Sequence, residues 1–129
     1  MITNLIGKVF KDGGRGPDEF DCWGLIRYIY KHEFAIDLPD YTISAFDAQG
    51  INDAITRDRQ VWITVDTPEF GDVCLFSMGY LNQDFITHVG MYMTCGKFIH
   101  VLSGHDVSIS KLDNPFWKLR FKGVVRWQD

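Results

Sequence analysis

The chain has 129 residues, 46% of them hydrophobic and 23% charged, with a formal net charge of −4 at pH 7. A chain of this length and composition can bury a substantial apolar core, which is typical of one globular domain over residues 1–129 and excludes a disordered or fibrous protein. Because acidic residues outnumber basic ones, we expect no broad basic surface that could bind a phosphate backbone. This argues against a nucleic acid partner.

Three further classes are disfavoured by the apolar pattern and the cysteines. No apolar run reaches the roughly 18 residues of a membrane span, and Met1 to Lys8 lacks the features of a secretion signal, so we expect neither. Cys22, Cys74 and Cys95 are an odd number without metal-ligand spacing among themselves, which argues against a full disulfide framework. Cys74 lies inside an apolar run, which predicts that it is a core residue.

The first half of the chain shows helical patterns. Residues Ile2 to Phe10 predict a short helix ending near Gly7, and a loop dense in glycine follows at residues 12–18. A second helix begins at Cys22, with apolar residues at helical spacing behind it. An extended segment at residues 35–41 then leads into a further helix expected over residues 45–59.

The second half shows strand patterns. They occupy residues 62–66, 73–76, 88–93, 97–102, 106–110 and 121–127, with a short helical turn at residues 114–117. Because helices come first and antiparallel strands afterwards, the sequence predicts an α+β fold.

Cys22 has two interpretations. Asp21 is expected to cap the helix that Cys22 begins, so unpaired N–H groups and the positive end of the helix dipole would favour the thiolate of a nucleophile. The backbone N–H of Cys22 is also a candidate donor to an oxyanion. The alternative is a buried cysteine that acts as a small apolar residue.

Two histidines on neighbouring strands help to decide whether Cys22 is a nucleophile or a buried apolar residue. The strands that carry His88 and His100 flank Thr94-Cys95-Gly96, a pattern typical of a hairpin. A two-residue turn would place the histidines on opposite faces of the sheet, whereas a three-residue loop, a five-residue loop or a bulge would bring them to one face. If the histidines act together, we expect the odd loop or the bulge.

Cys22, His88 and His100 could then serve as nucleophile, proton-transfer base and orienting group. His32 and His105 fit no such arrangement and are expected to be surface or loop residues. The same three residue types also suit zinc, so metal ligation remains a separate hypothesis, although a structural zinc site usually has four ligands and a catalytic one has three and a water.

Four blocks of this sequence resemble the NlpC/P60 family of cysteine peptidases. The blocks, taken with the Gly13-Gly14 pair before them, are Phe20-Asp21-Cys22-Trp23-Gly24, Phe70-Gly71-Asp72-Val73, His88-Val89-Gly90-Met91-Tyr92 and Lys97-Phe98-Ile99-His100. The resemblance implies a papain-like α+β fold with helices packed on a C-terminal antiparallel sheet. It also implies a Cys22 nucleophile, a His88 base and a His100 orienting residue that hydrolyse cell-wall peptides of bacteria, often between D-glutamate and a diamino acid, with no cofactor or metal.

A narrower resemblance is to family members from phage and prophage tails, carried by the run from Gly13 to Leu25 and by Leu38-Pro39-Asp40-Tyr41. It implies synthesis in the bacterial cytoplasm, phage tail proteins as partners and incorporation in a virion. The second hypothesis is accordingly a tail assembly module with the same fold and little hydrolytic activity.

Asp21, Trp23 and Phe10 are expected to contact substrate or oxyanion. Trp23 stands where many family members have serine, and Phe10 stands where many have tyrosine.

Overall fold

The structure is a computed structural model that describes residues 2–41, 43–44, 46–58, 61–79 and 84–128. A 3-10 turn covers Ile2–Leu5, and the helices are α1 (Cys22–Phe34), α2 (Ala48–Arg57) and α3 (Pro115–Arg120). The strands are β1 (Val9–Phe10), β2 (Glu19–Phe20), β3 (Trp62–Val65), β4 (Val73–Phe76), β5 (His88–Tyr92), β6 (Lys97–His100), β7 (Ser108–Lys111) and β8 (Phe121–Trp127). None of the helices within these ranges has the length and apolar character needed to cross a membrane.

Six of the strands form one antiparallel sheet in the order β3-β8-β4-β5-β6-β7, and β1 and β2 form a small parallel pair beside it. Helix α1 packs against β5 and β6 at the centre of this sheet. The α+β fold predicted from the order of the elements is therefore confirmed.

The central strand β4 is buried on both faces. Val73 and Leu75 belong to the large core under α1, whereas Cys74 and Phe76 belong to a smaller aromatic core on the opposite face. This arrangement explains why the strand is a continuous apolar run with no polar alternation. Cys74 has no exposed surface, as the sequence predicts.

The short first helix predicted to end near Gly7 is present as a single 3-10 turn at Ile2–Leu5. After the single 3-10 turn, Gly7 adopts a φ of 92°, which ends helical geometry. The N–H of Gly7 donates to Val107 O at 2.9 Å and the N–H of Val107 donates to Lys8 O at 2.8 Å. Pairing with a distant segment therefore takes over directly after the helical turn.

Element boundaries also differ elsewhere. Strands β4 and β8 match their predicted bounds, whereas β6 ends at His100 and β7 begins only at Ser108. Helix α2 begins at Ala48, where Asp47 caps it by accepting from the Gly50 N–H at 2.9 Å. Ala45 and residues 59–60, at the ends of the predicted helix, lie outside the described residues.

An ion pair between the buried Asp72 carboxylate and the partly exposed Arg126 guanidinium fixes the turn before β4 to strand β8. Arg126 donates from Nε to Asp72 Oδ1 and from Nη2 to Asp72 Oδ2, both at 2.8 Å. Asp72 is 2% exposed, and its Oδ2 also accepts from the Glu69 N–H at 2.8 Å. The bidentate geometry joins two elements that are far apart in the sequence.

Candidate active site

The loop before α1 holds Cys22 at the tip of the helix through Asp21. The Asp21 carboxylate accepts from the Gly24 N–H at 2.7 Å, from Arg15 Nη1 at 2.9 Å and from the Gly13 N–H at 3.1 Å. The predicted N-cap is confirmed, and the carboxylate is 2% exposed. Asp21 therefore positions the start of α1.

A close backbone approach explains the glycine that follows Trp23. A Cβ atom at Gly24 would lie 1.9 Å from the carbonyl oxygen of Gly14. Because that contact involves backbone on both sides, a larger residue would displace the loop or the helix tip. Gly24 thus lets the glycine loop lie directly against the helix that begins at Cys22.

The β5–β6 hairpin brings His88 and His100 to one face of the sheet. Its register pairs Met91 with Ile99, and the Met93 N–H donates to Lys97 O at 2.8 Å, which leaves the three-residue loop Thr94–Gly96. His88 Nε2 and His100 Nδ1 are 2.9 Å apart. The predicted odd loop is therefore confirmed, and the two imidazoles form a hydrogen-bonded pair.

A glycine on β5 provides the space for this pair. A Cβ atom at Gly90 would lie 2.7 Å from the Phe98 ring and 3.2 Å from His100 Cβ. The absence of a side chain at Gly90 therefore allows the imidazole of His100 and the ring of Phe98 to pack across the neighbouring strand.

Aromatic rings enclose both histidines. Trp117 of α3 lies 5.6 Å from the His88 ring, nearly stacked, and 4.7 Å from the His100 ring, edge to face. Phe98 lies 4.5 Å from His100, and Phe76 lies 5.7 Å from His88. The exposed fractions of His88 and His100 are 2% and 3%.

Burial controls the protonation of the pair. It lowers the pKa of His88 well below 6.5, and the neighbouring charge of His100 acts in the same direction. Burial, assisted by His105, lowers the pKa of His100 to about 4. Both imidazoles are therefore neutral at pH 7 in the resting site.

The packing around the sulfur of the half-buried Cys22 likewise dominates its protonation. It raises the pKa of the thiol to about 12, and the charge of Asp21 adds to the rise, whereas backbone hydrogen bonds from Val89, Trp23 and Cys22 lower it. Desolvation thus outweighs the effect of the helix N-terminus, which by itself would favour the thiolate. The resting site holds a neutral thiol and a neutral imidazole pair.

Cys22 lies between two clefts and is the one described residue that lines both. The first cleft is lined largely by apolar side chains and contains Trp23, whose indole Nε1 donates to Pro39 O at 2.9 Å. The second cleft contains His88, Phe10 and Phe46. Trp23 and Phe10 therefore line different clefts, each of which is also lined by the candidate nucleophile.

Ser110 is a polar neighbour of the pair that the sequence patterns do not reveal. Its Oγ lies 2.8 Å from His100 Nε2. The alternation of residues 106–110 predicts a strand, but only the β6–β7 register shows that Ser110 lies on the face of His100. His32 and His105 are exposed, in agreement with their predicted surface or loop positions.

The zinc hypothesis finds no support in the geometry. Within the described ranges, the structure contains no group of three or more His, Cys, Asp or Glu side chains arranged to hold a metal ion. The Nε2 of His88 is also directed at His100, so those two nitrogens share a hydrogen and do not converge on a common point.

A helix that begins at a cysteine and packs on an antiparallel sheet carrying a histidine pair defines a papain-like α+β domain. The model of the NlpC/P60 family matches residues 7–126, and the chain belongs to this family. The fold is similar to that of an NlpC/P60 family protein from Bacillus cereus ATCC 10987, with a TM-score of 0.74 and 23% identity over 99% of this chain and 38% of that one.

Two curated relatives are similar over most of the chain. The gamma-DL-glutamyl hydrolase of Bacillus subtilis (strain 168) is 30% identical over 96% of this chain and 27% of its own length. The murein DD-endopeptidase MepS/murein LD-carboxypeptidase of Escherichia coli (strain K12) is 26% identical over 93% of this chain and 56% of its own length. The chain thus spans between about a quarter and about half of these relatives.

Proposed function

We propose that this protein is a thiol endopeptidase that hydrolyses peptide bonds in the stem peptides of bacterial peptidoglycan. The observation that carries the proposal is a single cleft lined by Cys22 and His88, with His88 hydrogen-bonded to His100. The similarity to a gamma-DL-glutamyl hydrolase and to a murein endopeptidase supports this class of substrate.

In the first half of the reaction, Cys22 Sγ attacks the carbonyl carbon of the scissile bond. Because Nε2 of His88 is engaged with His100, Nδ1 of His88 is the nitrogen that takes the proton of the thiol. The backbone N–H of Cys22 is the candidate donor to the oxyanion. When the C–N bond breaks, the His88 imidazolium returns its proton to the leaving amine, and a thioester on Cys22 remains.

In the second half, water attacks the thioester carbonyl. His88 Nδ1 accepts a proton from this water, and the C–S bond breaks to release the carboxylic acid. The His88 proton then returns to Cys22 Sγ, which restores the neutral thiol. His100 holds the His88 ring in one orientation through both halves.

We further propose the bond between D-glutamate and a diamino acid as the scissile bond. The name of the hydrolase relative supports the glutamyl side, and we assign the residues on either side of the bond to the two clefts that share Cys22. Trp23 and Phe10, one in each cleft, are the residues that we expect to contact substrate. Asp21 holds the helix tip on which the attacking sulfur stands.

The test is mass spectrometry of defined muropeptides, some with the glutamyl bond as the one cleavable site and others with a cross-link between stems. The wild type should cleave the glutamyl bond, and Cys22→Ala should leave it intact. Cys95→Ser is the matched control, since Cys95 is an exposed thiol on the hairpin loop, and it should retain full activity. Intact muropeptides with properly folded wild type would contradict the proposed reaction.

A second candidate is an assembly module with the same fold and little hydrolytic activity. The observation that favours it is the resting state, in which burial keeps both the Cys22 thiol and the His88 imidazole uncharged. Under this candidate the wild type and Cys22→Ala would leave every muropeptide intact.

We also propose that the protein is made in the bacterial cytoplasm and carried by a phage tail. The sequence resemblance is what supports this proposal. Mass spectrometry of purified particles from an induced lysogen should find the chain in the tail fraction. Its absence from particles, with abundant chain in the lysate, would contradict this proposal.

A further inference from the structure

His100 is hydrogen-bonded on both sides of its ring. Its Nδ1 lies 2.9 Å from His88 Nε2, and its Nε2 lies 2.8 Å from Ser110 Oγ. We infer that Ser110 is a positioning residue, whose hydroxyl accepts the Nε2–H of His100 and so keeps Nδ1 of His100 free to accept from His88. The inference rests on the proposed function.

The strand register places Ser110 for this contact. In the β6–β7 pair, His100 lies opposite Ser108, and Phe98 lies opposite Ser110. Directly opposed residues share a face, and so do residues two apart on a strand, so all four point to the same side of the sheet. Ser110 is the diagonal neighbour of His100, and it is half-buried whereas Ser108 is exposed.

Each neutral imidazole carries one N–H and one nitrogen without hydrogen. The hydrogen bonds that link His88, His100 and Ser110 can therefore run in two directions, which we call the forward order and the reverse order. In the forward order, His88 Nε2–H donates to His100 Nδ1, and His100 Nε2–H donates to Ser110. In the reverse order, the Ser110 hydroxyl donates to His100 Nε2, and His100 Nδ1–H donates to His88 Nε2. Only the forward order leaves Nδ1 of His88 without a proton.

The reaction requires the forward order. Once His88 has taken the proton of Cys22, both of its nitrogens carry hydrogen, and its Nε2–H needs an acceptor. The reverse order would oppose two N–H groups across 2.9 Å. In the charged state, His100 must therefore carry its hydrogen on Nε2, and Ser110 is the acceptor placed to receive it.

Removal of the hydroxyl should therefore penalise the charged state more than the resting state. Without Ser110 Oγ, the forward order leaves an N–H of a histidine that is 3% exposed without this acceptor. The resting pair can avoid this unpaired N–H by adopting the reverse order. The pair with a protonated His88 cannot, because it requires the forward order. A group whose loss affects the reacting state and not the resting state changes kcat and not KM.

The kinetic test uses the full chain and muropeptides that the wild type cleaves. Ser110→Ala should lower kcat about tenfold, the effect of one lost buried hydrogen bond, with little change in KM. Ser110→Thr keeps the hydroxyl on a β-branched residue suited to a strand and should restore kcat. Ser108→Ala, on the same strand and face, is the matched control and should match the wild type.

A spectroscopic test separates this inference from the proposed function. With ¹⁵N-labelled histidine at pH 7, the wild type should show the proton of His100 on Nε2, and Ser110→Ala should move it to Nδ1. A wild-type proton on Nδ1, or equal kcat in the wild type and Ser110→Ala, overturns the role of Ser110. Failure of the wild type to cleave any muropeptide overturns the proposed function, while the position of the proton is still read from the spectrum.

Discussion

Cys22 is subject to two opposing effects at the tip of α1. The helix end and three backbone hydrogen bonds favour the thiolate, whereas burial and the charge of Asp21 oppose it, and burial is the largest effect. The sequence could predict the helix end and the Asp21 cap, because both are local. It could not predict the desolvation, which depends on the strands that pack against the helix tip.

The pH dependence of alkylation tests this balance. With a pKa of about 12 at Cys22, the thiolate fraction should rise tenfold per pH unit, so the rate constant with iodoacetamide should rise about a hundredfold between pH 7 and pH 9 and continue to rise at pH 10. The measurement is mass spectrometry of the labelled peptide in a Cys95→Ser background.

Two controls make this result specific. Cys22→Ser should remove the label from the peptide, and Cys74, which is fully buried, should stay unlabelled in the folded protein. A rate that is constant from pH 6 to pH 9 would mean that Cys22 and His88 form an ion pair at rest, contrary to this prediction.

At the scale of elements, local pattern predicted the strands more accurately than the segments that join them. Strands β4 and β8 match their predicted bounds, and β4 is a short apolar run between Asp72 and Ser77. The short helix predicted to end near Gly7 is a single 3-10 turn that ends at Leu5, because Gly7 and Lys8 pair with the distant backbone of Val107. Such pairing leaves no mark in the local spacing of apolar residues.

The end of α1 offers a stabilising substitution. Ala35 adopts a φ of 55°, the left-handed conformation that glycine adopts without strain, and its N–H donates to Tyr30 O. Ala35→Gly should raise the free energy of unfolding by about 0.5–1 kcal/mol. Urea unfolding measures it, and Glu33→Gly, inside the same helix, should instead lower the value by about 1 kcal/mol. A loss of stability in Ala35→Gly would contradict the strain at this position.

The ion pair between the turn before β4 and strand β8 should contribute substantially to the free energy of unfolding. Asp72→Ala would leave Arg126 without its bidentate partner and the Glu69 N–H without its acceptor. We expect the free energy of unfolding to fall by about 2–3 kcal/mol in urea denaturation.

Glu69→Ala is the matched control for this pair. The Glu69 side chain is 71% exposed and lies 3.3 Å from Arg126 Nη2. Exposed ion pairs contribute little, so its loss should change stability by less than about 0.5 kcal/mol. Equal losses in the two variants would show that the burial of Asp72 is not what stabilises the link.

For the whole molecule, the buried histidines should make stability depend on pH. The pKa of His100 is about 4 in the folded protein, below the ordinary 6.5, so the unfolded chain binds more protons between these values. The contribution of the neutral His100 to the free energy of unfolding is therefore complete above about pH 6.5, and it is lost as the pH falls toward 4. Between pH 7 and pH 5 we expect His100 alone to account for a loss of roughly 2 kcal/mol.

Urea unfolding at the two pH values measures this loss. His100→Gln should lose less stability over the same interval, whereas His32→Gln should behave as the wild type because His32 is exposed. If the wild type and His100→Gln lose the same free energy of unfolding between pH 7 and pH 5, the loss must come from other groups.

Assembly of the candidate site was only partly predictable. Residue type suggests Cys22, His88 and His100, the family resemblance assigns their roles, and the three-residue loop, one of the options that the sequence left open, brings the two histidines together. Ser110, the clearance at Gly90 and the contact of Arg15 with Asp40 depend on the register of strands and the packing of loops. These relations exist only after the sheet has formed, so no local pattern encodes them.

The hairpin loop Thr94–Gly96 also limits how this sequence can evolve. Surface loops usually accept insertions and deletions, and Cys95 at its tip is exposed and open to substitution. A change of one residue in loop length, however, would turn His100 toward the other face of the sheet, away from His88. Descendants that keep the histidine pair should therefore vary this loop in composition, or in steps of two residues, but not in steps of one.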